Sequence, residues 1–139
     1  MTSTRVVVLA GGPSHERDVS IRSGRRVAEA LRDNGFDVDE RDMGATLMDS
    51  LTADRPACVF AVLHGAAGED GAISDILELL ALPYIGSSPN ACRVAFDKPV
   101  AKQLIAAAGL NTPEFVVLPH ETFRELGAPQ VLATLEQSV

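Results

Sequence analysis

Only two cysteines occur in the 139 residues, Cys58 in an apolar run and Cys92 in a small-residue stretch, with no CxxC and no paired Cys/His spacing. A disulfide-stapled scaffold and a structural zinc site both need more than this, so a reducing, cytoplasmic setting is expected. Basic residues are also scarce, 12 Lys and Arg against 19 Asp and Glu, for a net charge of -7. That balance excludes nucleic acid as the expected partner, because a phosphate backbone selects for clustered cations. No apolar run approaches the roughly 20 residues that span a bilayer, so no membrane association is expected. Residues 1–5 lead straight into a strand-like run with no signal-peptide h-region. There is no internal repeat and no low-complexity segment. What the chain does have is a 46% hydrophobic content, enough to build a core. Its length fits one domain, or one domain and the start of another.

Arg5 to Ala10 is short, continuous and apolar, as a strand buried on both faces of a parallel sheet should be. Gly11-Gly12-Pro13 breaks it. From about Asp18 a helical stripe follows, with Ser20, Gly24, Val27, Ala28 and Leu31 inward and arginines largely outward. Asn34-Gly35 supplies the stop. Phe36 to Met43 reads as a second strand, Ala45 to Ala53 as a short helix, and Ala57 to Leu63 as a third strand. Glycines at 65, 68 and 71 punctuate a loop, and Ala72 to Leu82 is helical. Pro83 to Gly86 reads as a short fourth strand. Helices are expected at about 89–94 and 98–108, a fifth strand at Thr112 to Leu118, and helical pieces from His120 to Gln137 broken by Gly127 and Pro129. The alternation implies a doubly wound α/β domain with a parallel four-stranded sheet, its core including Val7, Leu9, Val59, Ala61 and Leu63.

Ligands of open α/β sheets bind beyond the carboxyl ends of the strands. Two loops leave such ends. The first, Gly11 to Val19, lacks the later glycines of GxGxxG and places Glu16 and Asp18 where a pyrophosphate would lie, which argues against a dinucleotide. Those carboxylates either complement the helix dipole or, at Glu16, receive a cation such as a substrate ammonium. The second loop sets His64 at the end of a buried strand, either as a structural histidine or beside a small anionic or zwitterionic ligand. Gly65, Gly68 and Gly71 allow backbone N–H groups to form a nest there. Asp97 is a plausible N-cap, and Pro99 fits a first turn. Lys98 and Lys102 repel each other at i, i+4 and oppose the helix dipole, unless an outside anion such as a nucleotide phosphate reverses both effects.

Three segments together resemble the D-alanine–D-alanine ligase family. They are residues 11–24, with Gly11-Gly-Pro-Ser-His-Glu16; residues 64–78, with His64-Gly-Ala-Ala-Gly-Glu-Asp-Gly71 and Leu77-Glu78; and Pro83 through Pro113, with Phe96-Asp97-Lys98, Lys102 and Gly109-Leu-Asn-Thr-Pro113. The resemblance covers nearly the whole chain in order. It implies a Rossmann-like pre-ATP-grasp domain at 1–87, linker helices at 88–111, and the truncated start of an ATP-grasp domain at 112–139. It also implies an ATP- and Mg²⁺-dependent ligase that joins two D-alanines for peptidoglycan synthesis, and a homodimer is expected. On that pattern Glu16 holds the ammonium of the first D-alanine, Val19 lines its subsite, His64 lies near its carboxylate and the transferred phosphoryl group, and Lys98 binds ATP phosphate.

The sequence departs from the family pattern at Ser74-Asp75, Ser88-Pro89, Ala91-Cys92-Arg93 and Phe96. D-lactate and D-serine remain open as second substrates. The family's remaining phosphate-loop and Mg²⁺-binding residues would fall beyond residue 139. The chain alone is therefore expected to be inactive, with Phe115, Val117 and Val131 left apolar and uncovered. A stand-alone amino-acid-binding module is the competing expectation, and a nonenzymatic interaction domain the third.

Overall fold

Three consecutive valines and a leucine make β1 (Arg5–Leu9) a strand that water cannot solvate on either face, and all four are buried. In the computed structural model, which describes residues 3–136, β1 sits between β2 (Asp37–Arg41) and β3 (Cys58–Ala61), with β4 (Tyr84–Ile85) beyond β3. The order is β2-β1-β3-β4 and every pairing is parallel, Val7 lying opposite both Asp39 and Val59. On one face, Val7, Leu9 and Val59 pack with Leu47 and Leu51 of α2 (Leu47–Asp54), and with Ile73 and Leu77 of α4 (Ala72–Leu79). Leu63 joins this core, whereas Ala61 is only half-buried.

The other face carries α1 (Arg17–Asp33), whose buried residues are Ser20, Gly24 and Ala28. Small residues at four-residue spacing let the helix axis come close to β1. A Cβ built on Gly24 would stand 2.5 Å from the Cβ of Ala10. Gly24→Ala should therefore destabilise the fold, because overpacking of about 1–3 kcal/mol exceeds the gain of roughly 1 kcal/mol in helix propensity. An unchanged or higher denaturation midpoint would show that α1 lifts off the sheet without penalty. The helix ends in a Schellman arrangement: Phe36 N–H donates to Leu31 O, Gly35 N–H donates to Arg32 O, and Gly35 takes φ +85°.

After β3 the chain makes a single helical turn, α3 (Ala66–Glu69), before α4. Beyond β4 come α5 (Pro89–Phe96) and α6 (Lys98–Ala107). Backbone contacts divide the chain into two compact units, Met1–Ala101 and Lys102–Val139. In the second, α7 (His120–Leu126) and α8 (Ala128–Glu136) are separated by Gly127, while Pro129 lies within the first turn of α8, where no N–H is needed. The strand expected at Thr112 to Leu118 is not formed. An extended segment becomes a strand only against a partner for its N–H and C=O groups, and no strand of the described residues pairs with it. Phe115 and Val117 are exposed, but Val131, expected to be uncovered, is buried in the second unit. Among the described residues no helix is long and apolar enough to cross a membrane.

Candidate functional site

Because β2 lies to one side of β1 and β3 to the other, the chain reverses its winding between β1 and β3. The crevice beyond their carboxyl ends is the place where a doubly wound sheet leaves room for a ligand. The loops that follow these two strands meet there. Ser20 Oγ accepts from Gly11 N–H at 2.8 Å and donates to Val62 O at 2.6 Å, tying the first loop to the end of β3. A Cβ on Gly65 would stand 3.1 Å from Ser14 Cβ and Oγ, so the two loops abut.

The first loop is fastened on its other side by Asp42, just after β2. Gly12 N–H donates to Asp42 Oδ1 at 2.7 Å. Arg17 Nη1 donates to the same oxygen at 3.1 Å and to Gly12 O at 3.1 Å, and Arg17 Nη2 donates to Asp42 Oδ2. The bond to Arg17 holds the Asp42 carboxyl below the usual carboxylate range, and the same bond raises the guanidinium in return. The sign follows: this pairing favours the folded state at neutral pH and is lost on acidification through the lowered Asp42 value. Gly11 turns at φ +97°, and a Cβ there would strike Asp42 Oδ1 at 2.4 Å. The backbone angle calls for glycine, and any other residue would also have to displace the Asp42 carboxylate.

Glu16 stands at the N-cap of α1, yet its side chain makes no capping bond. Only its backbone is engaged, N–H to Ser14 Oγ at 2.9 Å and C=O to Ser20 N–H at 3.0 Å. Among the described residues no ion pair includes Glu16. Its carboxylate is exposed at the crevice and unspent. Val19, in the first turn of α1, is 42% exposed.

His64 is half-buried. Its Nδ1 lies 3.6 Å from Glu69 Oε1, while Nε2 is buried with no hydrogen-bond partner among the described residues. A buried polar nitrogen left unmatched costs about 1–3 kcal/mol, which favours a hydrogen-bonding partner from outside the chain. Of the expected glycine nest, α3 takes up part: Gly68 N–H and Glu69 N–H both donate to Gly65 O. Gly68 is held against Leu63, where a Cβ would stand 2.5 Å from Leu63 Cβ and 2.7 Å from its carbonyl carbon.

Lys98 is exposed in the first turn of α6, and Asp97 caps that helix by accepting from Val100 N–H at 3.1 Å. No hydrogen bond or ion pair links Lys98 to Glu16 or His64 among the described residues. Lys102 has partners of its own within the chain: its Nζ donates to Pro113 O at 2.8 Å and lies 4.7 Å from the centre of the Phe115 ring. A separate hollow of about 250 Å³, lined by Glu69, Ser74, Tyr84 and Cys92 among others, opens beside α4 and α5. Arg93 and Asp75, two departures from the family pattern, pair across the same two helices. In the sequence Ser20 reads as one more residue of the helix face, and nothing local marks Asp42. A buried serine in an apolar stripe is the one signal that would have marked the first.

The family model for the D-ala D-ala ligase N-terminus matches residues 39–87. A D-alanine–D-alanine ligase of Ruegeria pomeroyi is 50% identical over 109 residues, covering 78% of this chain and 36% of that protein. That of Gluconobacter oxydans is 47% identical over 134 residues, covering 92% and 44%. A crystal structure of the Bacillus anthracis D-alanine–D-alanine ligase complexed with ATP superposes with a TM-score of 0.74 at 26% identity, covering 91% of this chain and 44% of that one. The chain thus spans less than half the length of these relatives. With its parallel four-stranded sheet and this agreement over most of its length, the chain matches the amino-terminal portion of D-alanine–D-alanine ligases.

Proposed function

We propose that this chain supplies the first amino-acid subsite of an ATP-dependent ligase that joins two D-alanines in peptidoglycan precursor synthesis. The observation that carries the reading is the pair at the switch point: an unspent Glu16 carboxylate and an orphaned His64 Nε2 on abutting loops. One suits an ammonium and the other an anionic oxygen, and an amino acid brings both. In the reaction, a carboxylate oxygen of the first D-alanine attacks the terminal phosphorus of ATP, and ADP leaves. The amine of the second D-alanine then attacks the acyl phosphate, the C–N bond forms, and phosphate departs with the C–O bond. Glu16 orients the first substrate, Val19 borders its methyl side, and His64 steadies charge on the acyl phosphate. Lys98 offers a point charge to the nucleotide phosphates.

Residues 1–87 act as the substrate domain, 88–111 as the linker and 112–139 as the beginning of the ATP-grasp fold, in a cytoplasmic homodimer. Among the described residues no group of three or more His, Cys, Asp or Glu side chains is placed to hold a metal ion. The test is D-alanine-dependent phosphate release by the full-length protein supplied with Mg-ATP. Turnover is expected from that protein and none from the 139-residue chain alone. Phosphate release that ignores D-alanine would overturn the reading, and turnover by the isolated chain would overturn its dependence on the remaining domains.

A further inference from the structure

Arg17 is the residue next to Glu16, and its charge is permanent. Side chains at neighbouring helical positions point apart, but Glu16 is the N-cap, with φ -92° and ψ 17°, and lies outside the helix proper. A free guanidinium at Arg17 would compete with any cation for the Glu16 carboxylate. It is not free: it donates to both oxygens of Asp42 and to Gly12 O. We propose that Asp42 is a positioning residue for the amino-acid subsite, holding Arg17 against the Gly12 turn and so keeping the Glu16 carboxylate open to the substrate ammonium. This rests on the reading of Glu16 given above.

The chemistry of the pair separates this electrostatic role from a purely structural one. Asn at position 42 retains an oxygen for Gly12 N–H but loses the charge, and its amide N–H₂ faces the guanidinium. Asp42→Asn thus preserves the turn and releases the cation beside the carboxylates that flank it in sequence, Glu16 and Asp18. Removing the cation as well should restore the subsite, whereas removing two supports of a loop should compound the damage.

The experiment is a double-mutant cycle in the full-length protein, read as KM for the first D-alanine and as kcat, with melting temperatures recorded alongside. Asp42→Asn should raise that KM about tenfold, the scale of a close competing charge, with kcat little changed. Arg17→Gln should leave KM within about twofold, and the double variant should return to within about threefold of the parent. An unchanged KM in Asp42→Asn, a fall confined to kcat, or a double variant as impaired as the two singles combined would overturn the inference. If Asp42→Asn does not fold, Arg17→Gln still decides, since a tenfold KM increase there would mean the guanidinium supports the site rather than threatens it. Glu16→Gln run in parallel separates the two levels. If it leaves KM untouched, the reading of Glu16 is wrong. If it raises KM while Asp42→Asn does not, only the role of Asp42 is lost.

Discussion

Glu16→Gln in the full-length protein should raise KM for the first D-alanine roughly 30- to 140-fold, equivalent to about 2–3 kcal/mol for a lost charge-assisted contact. KM for ATP should barely move. The structure gives the carboxylate no competing employment, because it neither caps α1 nor joins an ion pair among the described residues. Folding should therefore be almost indifferent to the change. Steady-state kinetics with each substrate varied in turn, beside a thermal melt, checks both halves. A lowered melting temperature with unaltered KM values would return Glu16 to the role of a helix-end acid.

His64→Ala should cost kcat about 10²- to 10³-fold, the scale of losing one preorganised donor to a developing oxyanion. The physical basis is Nε2, buried and without a partner among the described residues. Nδ1 faces Glu69 at 3.6 Å, which leaves Nε2 as the nitrogen for a ligand. His64→Gln offers a neutral donor of similar reach and should recover part of the loss. Folding should gain slightly or stay unchanged in the alanine variant, since an unmatched buried nitrogen disappears. Full turnover with an earlier melt would assign His64 to structure alone.

Much of the sheet was legible because its signals are local. An apolar run with no alternation, such as Val6 to Leu9, announces burial on both faces, and Gly35 announces a helix end. The crevice was legible for a topological reason, since the loops after the first and third strands could be named before their contacts were known. What escaped reading was non-local. Asp42 meets Gly12 across 30 residues, and Lys102 finds the Pro113 carbonyl and the Phe115 ring at positions that no helical periodicity reveals. Thr112 to Leu118 has strand composition without a strand beside it, and composition cannot supply a partner. The second loop misled in the opposite way. Its glycines suggested N–H groups turned outward, but the helical turn at Ala66–Glu69 spends those of Gly68 and Glu69 on Gly65 O.

The Ser20 hydroxyl has a bearing on how the chain matures. Gly11, which it accepts from, is nine residues away, but the carbonyl that it donates to belongs to Val62, 42 residues further along. A ribosome delivers the whole first loop long before it delivers that acceptor. Until β3 has been made and has paired with β1, the hydroxyl has only half its bonds and the loop only half its moorings. Contacts of such long sequence separation form late, after the entropy of closing the intervening chain has been met. The pocket is thus a product of the last stage of folding, and nascent or partly unfolded chains carry its residues without its shape.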